Sequence, residues 1–179
     1  MMAAYAAAES GHAVTLLEQN EKLGKKLFIT GKGRCNLTNA SDMEQLFANV
    51  VSNRKFLYSA FYSYDNEQVI SFFESHGMLT KTERGNRVFP VSDHSSDVIA
   101  ALSAALREQH VEVFLHTKVK RLLLEKRDEE KRVTGVELAD HTKMHADAVI
   151  VATGGISYPS TGATGDGYRM AEESGHKMV

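Results

Sequence analysis

The chain has 179 residues, with 21 Lys+Arg against 23 Asp+Glu and a formal net charge of −2. At 42% hydrophobic and 25% charged residues it has the balance of one globular domain, or of a piece of a larger one, and not of a disordered chain. Near-neutral charge argues against a nucleic-acid binder that works by neutralising phosphates, and no apolar run reaches the roughly 18–20 residues of a membrane span. The single cysteine, Cys35, excludes an internal disulfide and a multi-cysteine metal site. These features describe a soluble, reduced, cytoplasmic protein.

Met1 to Ser10 has high helix propensity without an N-cap residue before it, and Gly11 is placed to end that helix. No basic segment precedes it as a targeting peptide requires. Ala13 to Glu18 reads as a buried strand closing on an acid. The chain thus opens inside a helix that feeds a strand, and an earlier element is expected before it. Residues from about 41 to 110 read as mainly helical. Ser41-Asp-Met-Glu44 has the pattern of a capping box for a helix through Val50, and Asp65-Asn-Glu-Gln68 that of a second, ending near Gly77. Arg84 to Pro90 is a turn followed by a short extended piece. Val98, Ile99, Leu102, Ala105 and Leu106 recur at helical spacing between Ser95 and about His110.

The period then changes. Val111 to His116, Val119 to Glu125 and Arg132 to Leu138 read as strands, with a charged turn at Asp128 to Lys131. A strand at Lys143 to His145 would complete an antiparallel meander over about 117–145. Ala146 to Ala152 reads as a fully apolar strand running into Thr153-Gly154-Gly155. Gly165 to Ser174 is a short helix ended by Gly175.

Three features carry chemistry. In a dinucleotide-binding unit a glycine-rich turn opens the helix, and an acid about 20 positions on accepts hydrogen bonds from the ribose. Here the helix, the strand and the acid Glu18 are present and the glycine turn is not; the plainer alternative is an exposed glutamate at a strand end. The second feature is Lys22 to Asn39. Gly31 and Gly33 let the backbone approach a ligand, while Lys25, Lys26, Lys32 and Arg34 suit a pyrophosphate. Asn36, Thr38 and Asn39 add polar groups. The P-loop pattern is not matched, and a basic surface loop is the alternative. Cys35 has no neighbouring base and reads as inert. The third is Val149 to Gly155, whose small residues let a ligand approach the end of a strand. His141 and His145 are four apart, but in an extended segment their side chains would stand about 13 Å apart, so no metal site is expected.

Taken together, Gly24 to Asn39 (G-K-K-L-F-I-T-G-K-G-R-C-N-L-T-N), Val149 to Gly155 and Tyr158 to Tyr168 resemble the HI0933-like flavoproteins, often described as NAD(P)/FAD-dependent oxidoreductases or aminoacetone-oxidase-family FAD-binding enzymes. The resemblance covers essentially the whole chain but only part of the family's length. The family begins with a strand and a G-G-G-x-A-G turn before the residue matching Met1, and continues into an inserted substrate domain and a final FAD segment. The resemblance implies an α/β, Rossmann-like FAD/NAD(P)-binding fold, here incomplete, with an antiparallel β-meander.

It further implies a FAD-dependent oxidoreductase acting on a small-molecule substrate, with NAD(P)H as a further electron partner and neither nucleic acid nor membrane as a partner. Glu18 would hold the adenosine ribose with Gln19 beside it. Lys26, Gly33, Arg34, Cys35 and Asn36 would line the cofactor, Val119 would meet the adenine through its backbone, and Ala152, Thr153 and Gly154 would pass near the pyrophosphate or flavin. Some relatives reduce carbon–carbon double bonds in steroid-like bile-acid intermediates, so an ene-reductase or a dehydrogenase fits. Without the first strand, the chain alone is expected to bind FAD poorly and to be marginally folded. A non-catalytic nucleotide-binding module and an NAD(P)-only dehydrogenase are the alternatives.

Overall fold

The computed structural model describes residues 1–127 and 130–178. In chain order it contains α1 (Met2–Glu9), β1 (Thr15–Leu17), α2 (Lys25–Ile29), β2 (Thr38–Asn39), α3 (Met43–Ala48), α4 (Tyr58–Ser63), α5 (Asn66–Ser75), β3 (Thr80–Glu83) and β4 (Arg87–Pro90). There follow α6 (Ser95–Glu108), β5 (Glu112–Phe114), β6 (Val119–Arg127), β7 (Glu130–Leu138), β8 (Lys143–His145) and α7 (Asp166–Glu173). The chain divides into two compact units, one of Met1–Lys26 with Glu108–Val179 and one of Leu27–Arg107.

In the first unit α1 ends as expected: Gly11 N donates to Ala8 O and His12 N to Ala7 O, the bond pair that closes a helix on a left-handed residue. Strand β1 pairs in parallel with β5, Leu16 opposite Val113 and Leu17 opposite Phe114. Both strands have only three residues, fewer than expected, and neither is buried. Val113 and Phe114 are 38% and 46% exposed. A parallel ladder offers apolar side chains on both faces and is buried only when layers cover both.

The meander forms as expected, with β6, β7 and β8 antiparallel and in that order. Of the expected charged turn, residues 128 and 129 lie outside the described residues, while Glu130 and Lys131 already belong to β7. At Gly135 (φ 147°) a Cβ would stand 2.1 Å from Met144 O, so only glycine lets β8 come this close. Next to it Glu137, 4% exposed, accepts from Arg121 Nε at 2.8 Å and Nη2 at 2.6 Å and from Lys120 at 3.2 Å, and lies 3.2 Å from His141 Nδ1. The arginine first, then the lysine and histidine, hold its carboxyl down at about 2.

The apolar segment from Ala146 to Ala152 does not become the buried strand expected. Among the described residues it has no ladder partner, and Ile150 and Val151 are 63% and 42% exposed. An apolar run is a strand only where a neighbouring backbone takes its hydrogen bonds. Ala146 N donates to Thr134 O of β7 at 3.1 Å, and the pairing goes no further along the segment among the described residues.

The second unit is mainly helical, as its sequence suggests, and it also holds a sheet. Helices α3 to α6 accompany a three-stranded antiparallel sheet in the order β2, β4, β3. Strand β3 reads Thr-Lys-Thr-Glu and carries no apolar alternation, which hides it from a periodicity argument. Helix α3 is capped by Asp42, whose carboxylate accepts from Gln45 N at 2.8 Å, and not by Ser41. The Ser41 hydroxyl instead accepts from Asn86 Nδ2 at 3.0 Å, and the helix stops at Ala48, short of Val50. The expected capping box of α5 is present, with Asp65 and Gln68 exchanging bonds of 2.7 and 2.8 Å. Val98, Ala101, Leu102, Ala105 and Leu106 of α6 form one buried face, joined in the core by Phe72, Phe73, Val88 and Phe89.

Candidate functional site

The first unit gathers one group of the expected residues. Half-buried Glu18 follows β1, and its backbone continues the parallel ladder by donating to Phe114 O at 2.9 Å and accepting from Thr117 N at 2.9 Å. His116 N donates to Asn20 O at 3.0 Å, so the turn that precedes Val119 is knitted to residues 18–20. Glu18 Oε1 accepts from Asn20 N at 2.8 Å and Asn20 Nδ2 at 2.7 Å. That clamp fixes the carboxylate, while Oε2 accepts no hydrogen bond among the described residues and remains available to a hydroxyl donor.

A second strand of contacts reaches the glycine-rich segment after Ala152. Gln19 Nε2 donates to Gly162 O at 2.8 Å and Asn20 Nδ2 to Thr161 O at 3.1 Å. Lys26 Nζ donates to Ser157 O at 3.1 Å and lies 5.7 Å from the Tyr158 ring centre. A Cβ on Gly162 would fall 2.7 Å from Asn20 Nδ2, so the two segments touch backbone to side chain. Gly165 N donates to Gly155 O at 3.2 Å, and a Cβ on Gly167 would meet Thr153 Oγ1 at 2.7 Å. Glu18, Gln19, Lys26 and the region of Thr153 and Gly154 are therefore linked through 157–165. Asn20, Thr117 and Gly162 were not expected from sequence; an Asn two residues after an acid is the local pattern that could have pointed to the first.

The second unit holds Gly33, Arg34, Cys35 and Asn36. Gly31, Lys32 and Gly33 are all left-handed, with φ of 61°, 59° and 86°, and Cys35 follows at 58°. Arg34 N donates to Gly31 O and Cys35 N to Thr30 O, closing the loop on itself. The side chains do not project as a ligand set. Cys35 is 2% exposed, and burial pushes its thiol up. The Asn36 amide, with its nitrogen turned to the strand, donates to Thr38 O and Val88 O at 3.1 Å.

Arg34 Nε donates to Asp93 Oδ1 at 2.7 Å, and its Nη2 bonds both Asp93 and Glu83, with the guanidinium 4.1 Å from the Phe89 ring centre. Lys81 adds a 2.7 Å bond to Asp93 Oδ2. Glu83 is held below the ordinary carboxylate range by Arg34, and Asp93 by Lys81 and then Arg34. The charge expected to face a pyrophosphate is neutralised at Arg34 and stays exposed at Lys32.

A short parallel ladder ending on an acid, a left-handed glycine loop and an antiparallel meander define a Rossmann-like α/β protein. The chain belongs to the HI0933-like family, whose Rossmann-domain profile matches residues 1–179. It is 36% identical over 180 residues to the 3-dehydro-bile acid delta(4,6)-reductase of Clostridium scindens, a match covering 99% of this chain and 42% of that protein. It is 28% identical over 173 residues to the ribosomal RNA dihydrouridine synthase of Haemophilus influenzae, covering 96% and 42%. The corresponding Escherichia coli enzyme is 27% identical, covering 97% and 41%. The chain thus spans about two fifths of the length of these curated relatives. The crystal structure of Thermovibrio ammonificans THI4 shares the fold, with a TM-score of 0.60 at 15% identity over 98% of this chain and 58% of that one. No described helix is long and apolar enough to cross a membrane.

Proposed function

We propose that the chain is part of the dinucleotide-binding portion of a cytoplasmic FAD-dependent oxidoreductase that reduces a carbon–carbon double bond in a small molecule, with NAD(P)H as electron partner. The observation that carries this reading is Glu18: a half-buried carboxylate at the end of a parallel strand, one oxygen clamped by Asn20 and the other without a hydrogen bond among the described residues. That is the acceptor a ribose diol requires.

The donor set fits FAD. Glu18 would take the ribose, Val119 would offer its backbone to the adenine, and Gln19 and Lys26 would steady 157–162 beside it. Ala152, Thr153 and Gly154 supply a backbone without bulky side chains. Taken by itself, the loop of the second unit has the backbone at Gly33 and the exposed Lys32 to offer an anion, whereas Arg34, Cys35 and Asn36 would act by shaping the loop. When bound, the isoalloxazine supplies the hydride chemistry, and the protein supplies position and electrostatics. The reductase and dihydrouridine synthase names of the relatives support reduction as the reaction class. The net charge of −2 favours a small molecule over nucleic acid.

The test is native purification of the full-length protein followed by FAD titration. Bound flavin, and a dissociation constant that rises about tenfold or more in Glu18→Ala, is the expected result, since a hydrogen bond to a charged group is worth about 1.5–3 kcal/mol. Absence of flavin, with nicotinamide-dependent turnover, would favour an NAD(P)-only dehydrogenase. Flavin that no nicotinamide reduces would favour a non-catalytic module.

A further inference from the structure

Around Arg34 the second unit contains three charged groups, Lys81, Glu83 and Asp93, that the proposed function leaves without a role. Arg34, Lys81, Glu83 and Asp93 form a neutral quartet over Phe89, itself 4% exposed. They join two segments that are otherwise tied downstream of the loop's left-handed part, where the Asn36 amide and Leu37 N donate to Val88 O. One is the loop Thr30–Gly33 with Arg34 and Cys35; the other is the β3–β4 hairpin and the residues just after it. The loop is costly to hold: Lys32 and Cys35 are non-glycine residues at φ 59° and 58°, and such conformations persist only where surroundings over-determine them. A Cβ at Gly31 would lie 3.0 Å from Asn36 N and 3.7 Å from the Phe89 ring, so the loop is folded tightly against the same ring that Arg34 covers. Asp93 is itself left-handed, at φ 60°, which aims its carboxylate back at Arg34 and Lys81.

We propose that Glu83 and Asp93 are positioning residues for the cofactor loop. By clamping the Arg34 guanidinium over Phe89 they hold Thr30 to Asn36 in its left-handed shape before any ligand arrives, so that the dinucleotide meets a preformed backbone. This rests on the reading that the loop serves FAD. The planar guanidinium is needed because it bonds two carboxylates and lies flat on a ring at once, which an ammonium does not do.

The test uses the full-length protein stripped of flavin. Asp93→Asn is the informative variant, because Asn tolerates the left-handed backbone and loses only the charge. Glu83→Gln is the second. Amide exchange is read at Arg34, Cys35 and Leu37, which donate to the Gly31, Thr30 and Val88 carbonyls respectively, and compared with α6. The expected result is exchange about tenfold faster at those amides with α6 unchanged, and an FAD dissociation constant raised by a similar factor through lost preorganisation. Because the carboxylates act through Arg34, adding Asp93→Asn to Arg34→Met should change nothing further.

Unchanged loop exchange would overturn the proposal. So would faster exchange with unaltered FAD affinity, equal loosening of α6, or additive losses in the double variant. A parent protein that takes up no FAD would instead sink the functional reading, and the two failures are read from different samples.

Discussion

The two units solve the burial problem differently. In the second, a long amphipathic helix and a small antiparallel sheet close around Leu106, Val98, Val88 and Phe73, each at most 5% exposed. In the first, the described apolar side chains buried to that degree are few: Ala163, just before α7, and Met170 within it, while the parallel ladder keeps Val113, Phe114 and Leu115 more than a third exposed. Antiparallel strands joined by tight turns complete themselves locally, whereas a parallel ladder depends on layers brought from elsewhere in the chain. The unit bearing Glu18 is therefore the one whose stability rests on what covers it.

The contrast can be broken by substitution. Leu106→Ala, at 1% exposure, should cost the second unit about 2–5 kcal/mol. Urea unfolding followed by tyrosine fluorescence would register it, since the chain has no tryptophan. Within the first unit, Gly135→Ala drives a methyl into Met144 O and should cost about 1–3 kcal/mol, read as lost amide protection across β7 and β8.

Glu137 sharpens the comparison by pH. Its folded value of about 2 lies below its ordinary 4.5, so its stabilisation is complete above about 4.5 and drains away as pH falls toward 2. Glu137→Gln should therefore be less stable than the parent at neutral pH, and the gap should close on acidification in parallel thermal melts. The smallest effect is expected at Val113→Ala on the open ladder, under about 1 kcal/mol by the same urea assay, because a side chain already 38% exposed loses little.

Local signals were legible in the sequence and long-range ones were not. The α5 capping box is four consecutive residues whose bonds depend on nothing distant, and it stands as written. The meander was visible through its period. Strand β3 escaped because its side chains are polar, and Ala146 to Ala152 was misread because apolar character reports a preference for burial without naming a partner. Glu18 could be found as an acid ending an apolar strand. The Arg34 clamp could not, since its carboxylates lie 49 and 59 residues away. The positive charge around Gly31 and Gly33 suggested an anion site, while the Arg34 part of that charge is paired with Glu83 and Asp93.

The uncovered Ala148 to Ala152 segment has a practical consequence. Val-Ile-Val is a run of β-branched residues with a single nearby charge, Asp147, to discourage pairing with its own kind. Such a stretch, exposed at Ile150 and Val151 and without a ladder partner among the described residues, is a template for intermolecular strand addition. Solubility of the isolated 179 residues should therefore fall steeply with concentration, and a lysine at Ile150, 63% exposed, should raise the threshold without touching the core.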